Sequence, residues 1–492
     1  MYNKYRTEKL FLIIIGKKQV FIRKDMMIKN KLLFIVLTLF LCKSIFGQTK
    51  PEINIRFSKL YATYEFIQKL SEKYPNNFYK ETFNDSKFNT EEYKGLIKRF
   101  DTLRIYETYE FQGYPIEQKT PGTTTNILKK NLILSQNLND FKKQAFGIVP
   151  SSELLAFCNI IENFEPVYDE LVYSKNKDKF TEKVNQLSKF VANSQTKSFF
   201  QKGLVFYGTE WDFAIPFEIA IVPSLSQRGF TATTFLNNAV SEMQLDFESY
   251  DVLLSVLMHE IYHILYDEQS LDTKLYIKKW FNKNDSKNSQ YAFLLLNEVL
   301  ATALGNGFVY EQLNGKLDED DWYNVKYINE MSKKIYPTVK QYLTERKPLD
   351  KNFVDQYISI YDNNFPQWLN ELDNILTYRY IIADNTQNFD FFLKNYPRTS
   401  VSYMSNKLTP QGLERMKERP LTKIVLISSE NLEKLKMVKN AFPELKNWKY
   451  DANLEFVHFE NLADKTKLII VNAKEQGTFQ VLEKKFENRK IE

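Results

Sequence analysis

His259, Glu260 and His263 form a His-Glu-x-x-His sequence within Met258-His259-Glu260-Ile261-Tyr262-His263-Ile264. The chain holds three histidines, and two of them stand here, four positions apart. On an α-helix, residues i and i+4 share a face one turn apart, so both imidazoles can reach one cation. Glu260 points about 100° round the helix axis, which suits a base beside the metal rather than a ligand. Burying two imidazoles and a carboxylate together without a metal would be costly. The chemistry expected of this trio is metal-activated attack of water, with Glu260 as general base.

A third ligand should come from elsewhere. Glu298 is a lone carboxylate in the apolar run Tyr291-Ala292-Phe293-Leu294-Leu295-Leu296-Asn297-Glu298-Val299-Leu300-Ala301-Thr302-Ala303. A charge in such a run is expensive unless it is paired or bound to a cation. The small residues Ala301, Ala303, Gly305 and Gly307 let its helix approach the first one closely. Glu298 is therefore the expected third ligand, and Asp267, one further turn beyond His263, is its rival. Two imidazoles and one carboxylate, with a fourth position open for water, suit Zn2+.

The elements around these residues can be read from periodicity. Val252, Leu253, Val256, Leu257, Ile261, Ile264 and Leu265 recur at helical spacing, and neither Gly nor Pro occurs between Gly229 and Gly305. Ahead of this helix, three β-rich runs at 204–207, 217–222 and 230–235 are separated by Gly208, Pro216, Pro223 and Gly229. A polar connection at 282–288 leads into the Glu298 helix.

His259-Glu260-x-x-His263 with a downstream Asn297-Glu298 resembles the gluzincin class of zinc metallopeptidases, the thermolysin-like clan, over roughly residues 204–310. The resemblance implies His259, His263 and Glu298 as zinc ligands, Glu260 as general base, and a peptide or protein substrate. It also implies a sheet whose edge strand runs along the cleft; a sheet that only supports the helix is the other reading. Gluzincins use a Tyr or His to stabilise the oxyanion, and Tyr361, Tyr396, Tyr403 and His458 are the candidates for it. The metzincin pattern fits poorly, with Tyr266 where its glycine would stand and Gln269 where its third ligand would.

The expected fold class is α+β, mainly α, with a zincin-like catalytic core. A helical lobe is expected over 48–200, the catalytic region over 201–420 and a small α/β module over 421–492. Helical patterns cover 57–73, 152–173 and 180–202, with loops at 76–89 and 113–125. Helices return over 316–420, broken at Pro337, Pro348, Pro366 and Pro397, where Arg398 and Tyr403 could face the cleft. In the module, 423–427, 454–459 and 468–471 read as strands, and 431–441 and 479–486 as helices. No Gly-rich phosphate loop accompanies them, so nucleotide binding has no support.

The formal charge of +6 is misleading, because residues 1–47 carry ten Lys/Arg and two Asp/Glu, leaving −2 for 48–492. That balance gives no support to nucleic-acid binding. Lys29 and Lys31 precede the apolar run 32–41, then Ser44 and Gly47, so 27–47 reads as a signal peptide and 1–26 as an upstream extension. The run is too short for a comfortable membrane span, and Phe40 and Leu41 before Cys42 do not make a lipobox. The mature chain is expected outside the cytoplasm, with no stable membrane span, and its remaining Cys158 reads as a buried small hydrophobe. The functional expectation is an exported zinc metallopeptidase. A catalytically silent scaffold of the same fold, and a metal-dependent hydrolase of a non-peptide amide or ester, are the alternatives.

Overall fold

The computed structural model describes residues 52–225 and 232–474, with 482, 486 and 489–491. The signal-peptide and upstream readings, Cys42, and most of the helix expected over 479–486 lie outside the described residues. Every named helix and strand belongs to one unit, Ile53–Trp211 with Phe217–Glu492. The architecture is α+β, predominantly helical, as the periodicity implied.

Among the described residues, eleven strands punctuate the helices: β1 (Ile53–Arg56), β2 (Thr108–Tyr109), β3 (Gly122–Thr123), β4 (Phe217–Ser224), β5 (Ala232–Phe235), β6 (Asn238–Gln244), β7 (Tyr378–Ala383), β8 (Val401–Ser405), β9 (Thr422–Ile427), β10 (Phe456–Asn461) and β11 (Lys467–Asn472). The first sheet has the order β1-β4-β6-β5, with β5 antiparallel to β6 and the other pairs parallel. Alternation along β4 places Ala220 and Val222 on one face, where with Val240 and Phe235 they join the aromatic core of the N-terminal helices. Ile219, Ile221 and Ala239, also buried, are left for the opposite face. The helix Tyr250–Asp267, the histidine helix, packs against β5 and β6. Glu218 on β4 is neutralised by Arg56 on β1 at 2.6 Å, which ties the first strand to the sheet.

The histidine helix is surrounded on nearly every side, and twelve of its residues are buried. Its neighbours include helix Thr196–Tyr207, helix Ser289–Thr302 (the glutamate helix) and the π-helical turn Ala303–Val309 that continues the latter. Gly203 sets one approach, since a Cβ there would lie 2.5 Å from the Tyr262 ring. By length and composition Ser289–Asn314 could cross a membrane, but 83 % of its window is buried inside the protein. It is apolar all round because it is a core helix.

Several expectations need correction. The run 204–207 is not a strand but the last turn of helix Thr196–Tyr207, ended by Gly208 in the left-handed region at φ +62°. The N-terminal lobe is not purely helical, since it supplies β1, and 76–89 contains helix Phe78–Asn84. Pro337 lies inside helix Lys326–Glu345 rather than breaking it. The last sheet, of order β10-β11-β9-β7-β8, begins at Tyr378 rather than near 421. Its β7 and β8 fall in a stretch read as helices. Arg379 masks β7, because a buried strand rarely carries a cation; here its guanidinium donates to the Tyr396 carbonyl at 2.9 Å.

This sheet is bolted to the glutamate helix. Tyr291 Oη meets Thr422 Oγ1 at 2.8 Å and accepts from the Lys467 amide at 3.1 Å. On the other side, helix Leu271–Lys283 carries Lys274, 1 % exposed, with its Nζ 3.6 Å from the Tyr266 ring centroid. That Nζ has no hydrogen-bond partner among the described residues. Burial pushes it down to about 7, against the pull of Asp267. The unfolded chain, with an ordinary lysine at 10.5, therefore binds more protons than the folded protein between about pH 7 and 10.5. The resulting cost grows as pH falls through that window and is constant below it. Lys274→Met should raise stability on the order of 2–4 kcal/mol at neutral pH, with the gain shrinking toward pH 10. Denaturant unfolding of both proteins at the two pH values checks this.

Candidate metal centre

His259 and His263 stand one turn apart on the histidine helix, with their Nε2 atoms 2.9 Å from each other. The glutamate helix crosses them and brings Glu298 Oε2 within 3.7 Å of His259 Nε2 and 3.4 Å of His263 Nε2. One ligand atom from each residue lies within 4.8 Å of the others, so the three could hold a metal ion. Tetrahedral coordination at zinc–nitrogen bonds of about 2.0–2.1 Å separates ligand atoms by roughly 3.3 Å, and the observed spacings bracket that value.

The other ring nitrogens decide which atoms are free to bind. His263 Nδ1 meets Asn297 Oδ1 at 3.0 Å, and His259 Nδ1 meets Asn306 Oδ1 at 3.0 Å. An amide oxygen only accepts, so each Nδ1 carries the proton and each Nε2 presents a lone pair. Glu298 Oε2 is buried and accepts no firm hydrogen bond among the described residues, its imidazole contacts being long. The two Nε2 atoms and Glu298 Oε2 thus converge on one point, an arrangement that could hold a metal ion. Burial opposes a charged His263, but the Glu298 carboxylate outweighs it and raises the imidazole to about 9. Burial works against the Glu298 carboxylate too, yet the two histidines hold it well below the usual range.

The centre opens into a cavity of about 700 Å³. Its walls are the histidine helix with Glu260, the edge strand β5, the loop residues Trp322, Tyr323 and Asn324, and Phe111 with Lys119–Pro121 from a strap that leads into β3 at Gly122. Glu260 lines this space beside His259, His263 and Glu298. Leu236, in the β5–β6 turn, adopts φ +55° and lines the cavity.

Asp267 does not compete for the cation. Its carboxylate accepts from the Thr120 amide at 2.6 Å and from Lys119 Nζ at 2.8 Å, which anchors the strap. None of the four residues considered for the oxyanion lines the cavity. Tyr361 is fully buried and accepts from Asn374; Tyr396 donates to the Phe486 carbonyl; Tyr403 accepts from Arg419; His458 stacks on Trp448. The cavity tyrosine is Tyr323, whose ring lies nearly parallel to His259 at 5.9 Å and whose phenol interacts with Glu298. Burial, then that carboxylate, pushes its proton affinity up. Arg398 reaches the same loop from outside the cleft, donating to the Asn324 carbonyl at 3.0 Å.

Asn306 and Tyr323 escaped the reading of the sequence, since neither sits in a motif. A trace of Asn306 was present in its two flanking glycines. Gly305 is required by contact: a Cβ there would lie 2.6 Å from His259 Cβ and 2.8 Å from its Cα and N. Gly307 similarly admits the Trp322 ring, which a Cβ would meet at 2.8 Å.

Compared with protein-family models, with curated proteins and with solved structures, the chain matches none.

Gly305→Ala should force the π turn away from His259. The expected result is a stability loss of about 1–3 kcal/mol and roughly 10- to 100-fold weaker metal binding. Thermal melts and chelator competition measure the two effects separately.

Proposed function

We propose that the protein is a zinc-dependent peptidase with a zincin-like core, acting outside the cytoplasm on peptide or protein substrates. The observation that carries this reading is the convergence of the two Nε2 atoms and the Glu298 carboxylate, with Glu260 beside them in an open cavity. His259, His263 and Glu298 would hold the ion. Zinc bound there would polarise a scissile carbonyl and make its bound water acidic.

Glu260 takes the proton from the attacking water and delivers it to the leaving amine, so a single carboxylate serves as base and then acid. The outer edge of β5 is unpaired among the described residues, and it borders the cavity. An extended peptide can add there as a further strand, which fixes the scissile bond over the ligands. Tyr323 donates its phenol proton as a hydrogen bond to the developing oxyanion, the task for which the sequence offered no motif.

The purified chain should carry about one zinc and cleave a mixed peptide library, with cleavage lost on chelation and restored by zinc. Glu260→Gln should keep the metal but lower kcat by about 10²–10⁴-fold. Tyr323→Phe should lower kcat about 10²–10³-fold while leaving zinc content unchanged. Stoichiometric zinc without cleavage of any peptide would favour the silent scaffold instead. Hydrolysis confined to non-peptide amides or esters would favour the third reading.

A further inference from the structure

The π turn Ala303–Val309 is an irregularity that the hydrolysis itself does not require. It continues the glutamate helix with wider i→i+5 bonds, such as the Tyr310 amide to the Gly305 carbonyl. Such turns rarely persist in a buried helix without a local reason. Here the turn presses Gly305 against the His259 backbone and delivers the next residue, Asn306, to His259 Nδ1. Asn297, one residue before Glu298, does the same for His263.

Both outer partners are therefore neutral amides. A carboxylate in such a position makes the imidazole more basic and adds negative charge near the cation; an amide oxygen orients the ring without doing either. The two imidazoles are neutral ligands, so Glu298 is the one anionic ligand among them.

Resting on the metal reading of the centre, we infer that Asn306 and Asn297 are positioning residues whose neutrality keeps affinity for a divalent cation below the value the same three ligands would reach with carboxylate partners. The π turn is the device that supplies the first of them. The arrangement leaves more positive charge on a bound ion, at the expense of how tightly it is held.

The test is zinc affinity of the full chain, by competition with a chromophoric chelator, for the wild type, Asn306→Asp, Asn306→Leu and Asn297→Asp. Asn306→Asp should bind zinc roughly tenfold or more tightly, and Asn306→Leu roughly 10- to 100-fold more weakly. A purely structural asparagine predicts the opposite for the first variant, because a half-buried carboxylate would disturb the local packing and loosen the site. Circular dichroism and melts without metal identify any variant that fails to fold. If Asn306→Asp fails in that way, Asn297→Asp reads the same effect at His263. Equal or weaker binding by the folded aspartate variants overturns the inference while leaving the metal centre standing. A wild type that binds zinc no better than His259→Ala overturns both.

Discussion

Two imidazole lone pairs 2.9 Å apart and a buried carboxylate oxygen aimed at both make an arrangement that repels itself unless positive charge sits among them. A proton shared with Glu298 can supply that charge, which is why the Glu298 carboxylate raises His263 so far. A proton, however, satisfies only one pair of the three atoms. A divalent cation satisfies all three at once, and the protons on Nδ1 already point away to amide oxygens. The rest of the molecule holds this set in register. The histidine helix is gripped by Gly203 behind and Gly305 in front, two places where a single methyl group would force helices apart.

That grip explains why the site is built from core helices rather than from loops. Ligand atoms must be placed to a few tenths of an ångström, and buried helix crossings give that precision. The last sheet contributes from a distance. Tyr291 on the glutamate helix is fastened to β9 and β11, and the Tyr323 loop is tied to Arg398 just ahead of β8. The last sheet is therefore part of the frame for Glu298 and Tyr323.

How much of this was legible in the sequence varies by residue, for physical reasons. His259, Glu260 and His263 announce themselves because their meaning depends only on local helix geometry. Glu298 is visible because an isolated charge in an apolar run demands a partner. Asn306 is invisible, since its role depends on a π turn that no periodicity signals, and Tyr323 depends on how a loop folds back. The errors follow the same divide. An apolar stretch at 204–207 reads equally as strand or helix, and tertiary packing settles the choice. Strand β7 is hidden by Arg379, whose guanidinium is satisfied by the Tyr396 carbonyl and the Ser402 hydroxyl, both distant in sequence.

Asp267 shows how the same reasoning can find the right residue and the wrong task. It lies one turn past His263 on the cavity side of the helix, which made it a rival ligand. Its oxygens are taken by Thr120 and Lys119, and Lys119 also binds Glu268 at 2.7 Å. Further along the strap, Glu117 accepts from Arg419 at 2.7 Å, so the strap is pinned at both the histidine helix and the segment before β9. One helical turn is about 5.4 Å, which puts this pinned wall close to the ligands. Asp267 instead holds a wall of the cavity in place. The charges at that wall, two acids against Lys119 with Lys274 buried nearby, are committed to holding the strap in place.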